Sequence, residues 1–129
     1  MTKEEKDLLL KDLCGRIQHG VKCQVYNFSI PYTLSGIIPS RVYQELYFEE
    51  LDYKECNGFV DIKQCKPYLF PLDSMTEEQK DEFDRLYTYD ALIVEPQWEL
   101  IDFCDKHHLD YRGLIPMGLA KDATNLNIY

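Results

Sequence analysis

The sequence predicts an α+β fold: an N-terminal helix, a small antiparallel sheet of four or five strands or a partly open barrel, two further helices, and an extended C-terminal segment packed on the body. Three observations carry this prediction. Apolar residues recur at helical spacing near the start and again beyond residue 76, each time behind a capping box. Residues 21–62 instead run in short stretches rich in β-branched and aromatic side chains, punctuated by Pro31, Gly36, Pro39 and Asn57-Gly58. Between these regions lies residues 66–72, where Pro67 and Pro71 each fix φ and push the preceding residue towards extended geometry. That segment therefore reads as an extended connector between strands and helices.

Thr2 and Glu5 form the first capping box, and Leu9, Leu10, Leu13, Cys14 and Ile17 then mark one face of a helix over most of residues 3–17. Gly15 sits inside the pattern and is expected to end the helix early, leaving Gly20 to turn the chain. Val21, Cys23 and Val25 share one parity of the next strand, and Val42, Leu46 and Phe48 one parity of a later strand, so these six face the core. Residues 32–38 make a single strand between them, and residues 59–62 a fourth, entered through a tight turn at Asn57-Gly58. Thr76 and Gln79 cap a second helix with Phe83, Leu86 and Tyr87 on one face and Glu78, Asp81, Glu82 and Arg85 on the other. After the apolar run Ala91-Leu92-Ile93-Val94, Pro96 suits the first turn of a third helix ending near His107. Its core face is either Trp98, Ile101 and Cys104 or Leu100, Phe103 and Cys104. Gly113, Pro116 and Gly118 forbid a further long helix, yet Leu114, Ile115, Met117 and Leu119 are apolar enough to pack back on the body. Residues 122–129 are expected to fray.

A chain of 129 residues fits one domain with a real hydrophobic core, and no linker, repeat or low-complexity tract divides it. The formal charge of -9 opposes direct binding to nucleic acid or to an anionic membrane, both of which need Lys and Arg against phosphate. Five cysteines without a C-x-x-C pair indicate neither a closed disulfide framework nor a zinc ribbon. With no apolar leader and no membrane-length run, the expectation is a cytoplasmic protein whose thiols are reduced and mostly buried.

The densest group of reactive residues is Cys104, His107, His108 and Asp110. On a helix Cys104 shares a face with His107 or His108, the beginning of a metal site or a thiol–imidazole pair. No second ligand pair and no glycine-rich oxyanion loop accompany it, so no catalytic, cofactor-binding or metal-ligating residue is assigned. The histidines read instead as partners for free carbonyls at a helix C-terminus. Tyr43, Glu45 and Tyr47, on the outward parity of their strand, and Tyr111 with Arg112 form the candidate interaction surface, because exposed Tyr and Arg are enriched at interfaces. The competing reading for Arg112 is a clamp, paired with Asp110 or with helix-terminal carbonyls.

Two stretches carry a family likeness. Lys66-Pro67-Tyr68-Leu69-Phe70-Pro71 leading to Ser74-Met75-Thr76-Glu77-Glu78, and His107-His108-Leu109-Asp110-Tyr111-Arg112-Gly113-Leu114-Ile115-Pro116-Met117-Gly118-Leu119-Ala120, resemble small proteins encoded by phages and prophage-like elements of gut bacteria, a group with no assigned activity. Leu8-Leu9-Leu10-Lys11-Asp12-Leu13-Cys14 and Gly20-Val21-Lys22-Cys23 are similar to the same group, so the likeness spans nearly the whole chain. The chain departs from it at Gly15, where Ala is usual, and beyond Ala120. The resemblance implies a mobile-element origin and a bacterial cytoplasm. The leading functional expectation is a non-enzymatic accessory protein that contacts a host or phage protein. The alternatives are an acidic decoy for a nucleic-acid-binding protein, and a small metalloprotein or hydrolase using Cys104 with His107 or His108.

Overall fold

The computed structural model describes residues 1–38, 44–51, 57–91 and 98–129, with residues 88–91 described as backbone only. Helix α1 (Lys3–Arg16) begins at the Thr2/Glu5 capping box, in which the Thr2 amide donates to Glu5 Oε1 at 2.9 Å and the Glu5 amide to Thr2 Oγ1 at 3.1 Å. Its buried stripe is Leu9, Asp12, Leu13 and Arg16, spaced i, i+3, i+4 and i+7, while Cys14 is exposed. Two charges thus occupy places on the buried face that hydrophobicity alone would not assign. Gly15 does not end the helix. A Cβ there would lie 2.5 Å from Asp105 Oδ2, so glycine is required by the approach of a neighbouring carboxylate. The chain turns at Gly20, with φ of 71°.

The strands are β1 (Lys22–Val25), β2 (Tyr32–Thr33), β3 (Gly36–Ile38), β4 (Glu45–Tyr47), β5 (Phe59–Asp61), β6 (Cys65–Leu69) and β7 (Lys121–Asp122). Among the described residues they form two sheets, ordered β2-β1-β6-β7 and β3-β4-β5, with no closed barrel. The α+β class holds, but three expectations about the strands change. Residues 32–38 are not one strand: β2 pairs with β1, β3 pairs with β4, and the chain passes from one sheet to the other at Leu34-Ser35. Residues 66–72 are not a bare connector, since β6 is an inner strand of the four-stranded sheet. Pro67 is tolerated there by register. The Tyr26 amide donates to Gln64 O at 2.8 Å, and alternation then puts the Cys23–Pro67 pair at a position that needs no amide hydrogen from Pro67 towards β1. The pairing is also mixed, because β7 runs parallel to β6, with Tyr68 opposite Lys121 and Leu69 opposite Asp122.

Residues 122–129 are tied down rather than frayed. The Ala123 amide donates to Leu69 O at 2.8 Å, and the Tyr129 hydroxyl accepts from the Lys22 amide and donates to Tyr68 O, both at 2.8 Å. Asn57-Gly58 makes the expected turn, both residues having positive φ, 50° and 80°. Helix α2 (Glu77–Ala91) starts at the Thr76/Gln79 box, and α3 (Trp98–Lys106) buries Leu100 and Cys104 while Trp98 stays 71% exposed. Leu92 to Pro96 lie outside the described residues, as do Val42 and Tyr43.

One hydrophobic cluster joins Leu9 and Leu13 of α1 to both sheets through Val21, Cys23, Val25, Leu46, Phe48, Val60 and Leu69, and to the C-terminal segment through Leu114 and Leu119. Among the described side chains, none of α2 or α3 belongs to that cluster. The helical layer is therefore joined to the body by other means. No helix among the described residues is long and apolar enough to cross a membrane.

Candidate functional site

The residues expected to form one contact surface fall in two places. Glu45 and Tyr47 are half-buried on β4, the middle strand of its sheet. The Tyr47 ring packs on Phe59 with centroids 5.1 Å apart, and a Cβ at Gly58 would lie 2.5 Å from Tyr47 Cε2. Tyr47 thus covers its own turn. Tyr43 lies outside the described residues.

Tyr111 and Arg112 belong to a buried ionic joint between α1 and α3. Arg16, wholly inaccessible, donates from Nε to Asp12 Oδ2 at 2.8 Å, from Nη2 to Leu109 O at 2.6 Å and from Nη1 to Cys104 O at 3.3 Å. Arg112 donates to the other Asp12 oxygen at 2.7 Å. The tether is therefore Asp12 rather than Asp110, and it is Arg16 that adds a second donor to Cys104 O in α3 and to Leu109 O just beyond it, which also accept the Leu109 and Tyr111 amides. Tyr111 lies between the two cations, with Arg112 Cζ 4.5 Å and Arg16 Cζ 5.5 Å from its ring centre. Asp105 completes the group 3.8 Å from Arg16. Burial raises its carboxyl pKa against the lowering influence of Arg16, and the Tyr111 hydroxyl, outside hydrogen-bonding geometry, contributes least. Asp110 serves the loop itself, accepting from the Leu114 and Ile115 amides at 2.8 and 2.9 Å.

Cys104, His107 and His108 have separate partners. Burial pushes the Cys104 thiol up to about 11, which leaves little thiolate at neutral pH. His107 packs on Phe103, with ring centres 4.6 Å apart, and its Nδ1 is 3.4 Å from Gln79 Nε2. His108 has φ of 56° and stacks on Tyr129 with centroids 3.8 Å apart; burial depresses its pKa to about 4. Among the described residues no group of three or more His, Cys, Asp or Glu side chains could hold a metal ion.

The sequence reading missed the loop between β1 and β2. Residues 26–30 are all exposed, including Tyr26 at 41%, Phe28 at 45% and Ile30 at 62%. Their rings form a chain: Tyr26 and Phe28 have centroids 5.6 Å apart, and Phe28 and Tyr32 6.4 Å. Tyr26 takes φ of 52°, a conformation that costs a bulky residue energy, because the Phe28 amide closes a tight turn onto Val25 O at 3.1 Å. The signal was present in the Tyr26, Phe28, Ile30 alternation, but alternation does not say whether another element covers the apolar face. No protein-family model, no curated protein and no solved structure matches this chain.

Proposed function

We propose that this chain is a protein-contact module rather than an enzyme, docking a host or phage protein through the ridge of Tyr26, Phe28, Ile30 and Tyr32. The observation that carries the reading is three large apolar side chains exposed within five consecutive residues of a strained loop. Isolated exposed apolar residues are ordinary, whereas a contiguous ridge marks a contact site. Burying each such side chain against a partner contributes about 1.5–3 kcal/mol, enough for the ridge to dominate an interface. The test is photo-crosslinking in the host with benzoylphenylalanine at Phe28 or at Asp84, an exposed position on α2. A discrete protein captured from position 28 and not from 84, and lost on replacing Tyr26 and Ile30 by Ser, supports the reading. Equal labelling from both positions refutes it.

A second reading, an acidic decoy for a nucleic-acid-binding protein, draws on the exposed Glu77, Glu78, Asp81 and Asp84 of α2. Its partner would be a basic protein released as salt rises, because exposed charges are screened within about 10 Å at 0.1 M. Retention that survives moderate salt excludes it.

A further inference from the structure

Taking the ridge of Tyr26, Phe28, Ile30 and Tyr32 as the docking surface, on which this reading rests, we infer that it receives an amphipathic α-helix of a partner protein, acidic in its first turn and basic in its last. A partner strand cannot add at this edge. Leu34 donates inward to Val21 O, so the outward donors of β2 and its approach are Pro31, which has no amide hydrogen, and Thr33, whose amide already donates to Glu50 Oε1 at 2.8 Å. Contact is therefore made through side chains. Their spacing suits a helix. Tyr26, Phe28 and Tyr32 follow one another at 5.6 and 6.4 Å, close to the pitch of about 5.4 Å between successive helical turns. Rings so spaced fit the grooves between turns, with apolar side chains at i, i+4 and i+7 of the helix packed on their flanks.

Charge gives the direction. The line of rings crosses the sheet, because the Tyr26 amide bonds Gln64 O next to β6 while Tyr32 lies in the edge strand β2. At the Tyr26 end Lys63 is exposed and Lys66 stands opposite Gln24, and neither enters an ion pair among the described residues. Asp61, the acid nearest in sequence, accepts from the Lys63 amide at 2.9 Å. At the Tyr32 end Glu49 and Glu50 are both exposed, and the Thr33 bond holds Glu50 against the strand. Strands β6, β1 and β2 lie side by side, which puts about 10 Å, or about two helical turns, between the basic and acidic ends. A helix with acids first and bases last is the arrangement its own dipole favours, and it lies with its N-terminus over Lys63 and its C-terminus over Glu49.

The test uses two fluorescein-labelled peptides of about 15 residues and identical composition, both with leucines along one helical face. One carries Glu in its first turn and Lys in its last, and the other has these ends exchanged. Fluorescence anisotropy with the full chain should show the first binding about 3- to 10-fold tighter, the worth of a few exposed charge contacts. That preference should shrink in about 0.5 M salt. A chain carrying both Lys63→Glu and Glu49→Lys keeps its net charge and the Glu50 bond to Thr33, and should prefer the second peptide. This reversal separates docking direction from the peptides' own helix stability. Replacing Tyr26 and Ile30 by Ser should abolish binding of both. Equal affinity for the two peptides, or an order unchanged in the charge-exchanged chain, overturns the direction and leaves the ridge standing. Binding of neither peptide overturns the helix as occupant, and binding of both that survives loss of Tyr26 and Ile30 refutes the ridge itself.

Discussion

Replacing Arg16 by Ala should be among the most damaging single substitutions in this chain. The side chain is fully buried and makes three hydrogen bonds, to Asp12 Oδ2, Cys104 O and Leu109 O, with Asp105 3.8 Å away. Its removal leaves Asp105 without its nearest cation and takes one donor from each of two carbonyls, Cys104 O and Leu109 O, which keep only the Leu109 and Tyr111 amides at 2.8 and 3.1 Å. Asp12 keeps Arg112. Breaking a buried pair in this way costs about 3–5 kcal/mol, because an uncompensated charge stays inside. For 129 residues unfolding with an entropy of roughly 2.1 cal/mol/K per residue, that is a fall of about 11–18 °C in Tm. Urea denaturation and calorimetry measure the loss, and hydrogen exchange locates it. Because the described side chains of α2 and α3 contribute nothing to the main hydrophobic cluster, the amides of these helices should lose protection before those of β1 and β6. Arg112→Ala, removing one bond from a more accessible side chain, should cost about 1–3 kcal/mol. A loss below about 1 kcal/mol for Arg16→Ala, with protection of α3 unchanged, would refute the assignment of this cluster as the joint between helical layer and body.

Other substitutions probe the same region. Gly15→Ala should destabilise by about 1–3 kcal/mol despite alanine's better helix propensity, and the penalty should disappear in an Asp105→Ala background; thermal melts of both variants decide this. Since the folded pKa of Asp105 lies above its unfolded value, the protein loses stability as pH rises through that titration, so Asp105→Asn should flatten this part of the stability profile in urea melts at stepped pH. His108 shows the opposite limb: with its folded pKa lowered from 6.5 to about 4, stability present above pH 6.5 is lost as pH falls towards 4, by roughly 3 kcal/mol. His108→Phe keeps an aromatic ring against Tyr129 and should remove that acid dependence; an unchanged acid limb would assign it to other groups. Tyr129→Phe loses the bonds to Lys22 and Tyr68 and should cost about 1–2 kcal/mol, read as faster exchange at the Ala123 amide.

Local chemistry was legible wherever it is settled within a few residues. Both capping boxes close as their spacing requires, Asn57-Gly58 turns through positive φ, and the parity of Cys23, Val25, Leu46 and Phe48 gives the buried faces of β1 and of the β4 region. Misreadings arose where a distant partner overrides the local preference. Gly15 read as a helix end because the carboxylate that excludes a side chain there comes from residue 105. The pairing of Asp12 was not legible because its two cations are Arg16, four residues on, and Arg112, a hundred residues on. The exposed ridge was missed because nothing in residues 26–32 says what lies above them.

The sequence by itself determined the α+β class, the helix starts, the tight turns and the core-facing parity, since each depends on backbone geometry and on side chains three or four positions apart. Tertiary structure alone decided that the strands divide into two sheets, that Pro67 sits in an inner strand, that the C-terminal segment adds a parallel strand, and that Arg16 rather than Arg112 anchors the end of α3. These depend on contacts between residues tens of positions apart. Which polar group finds which partner there is fixed by the desolvation cost of leaving it unpaired, a quantity set only once the elements have packed.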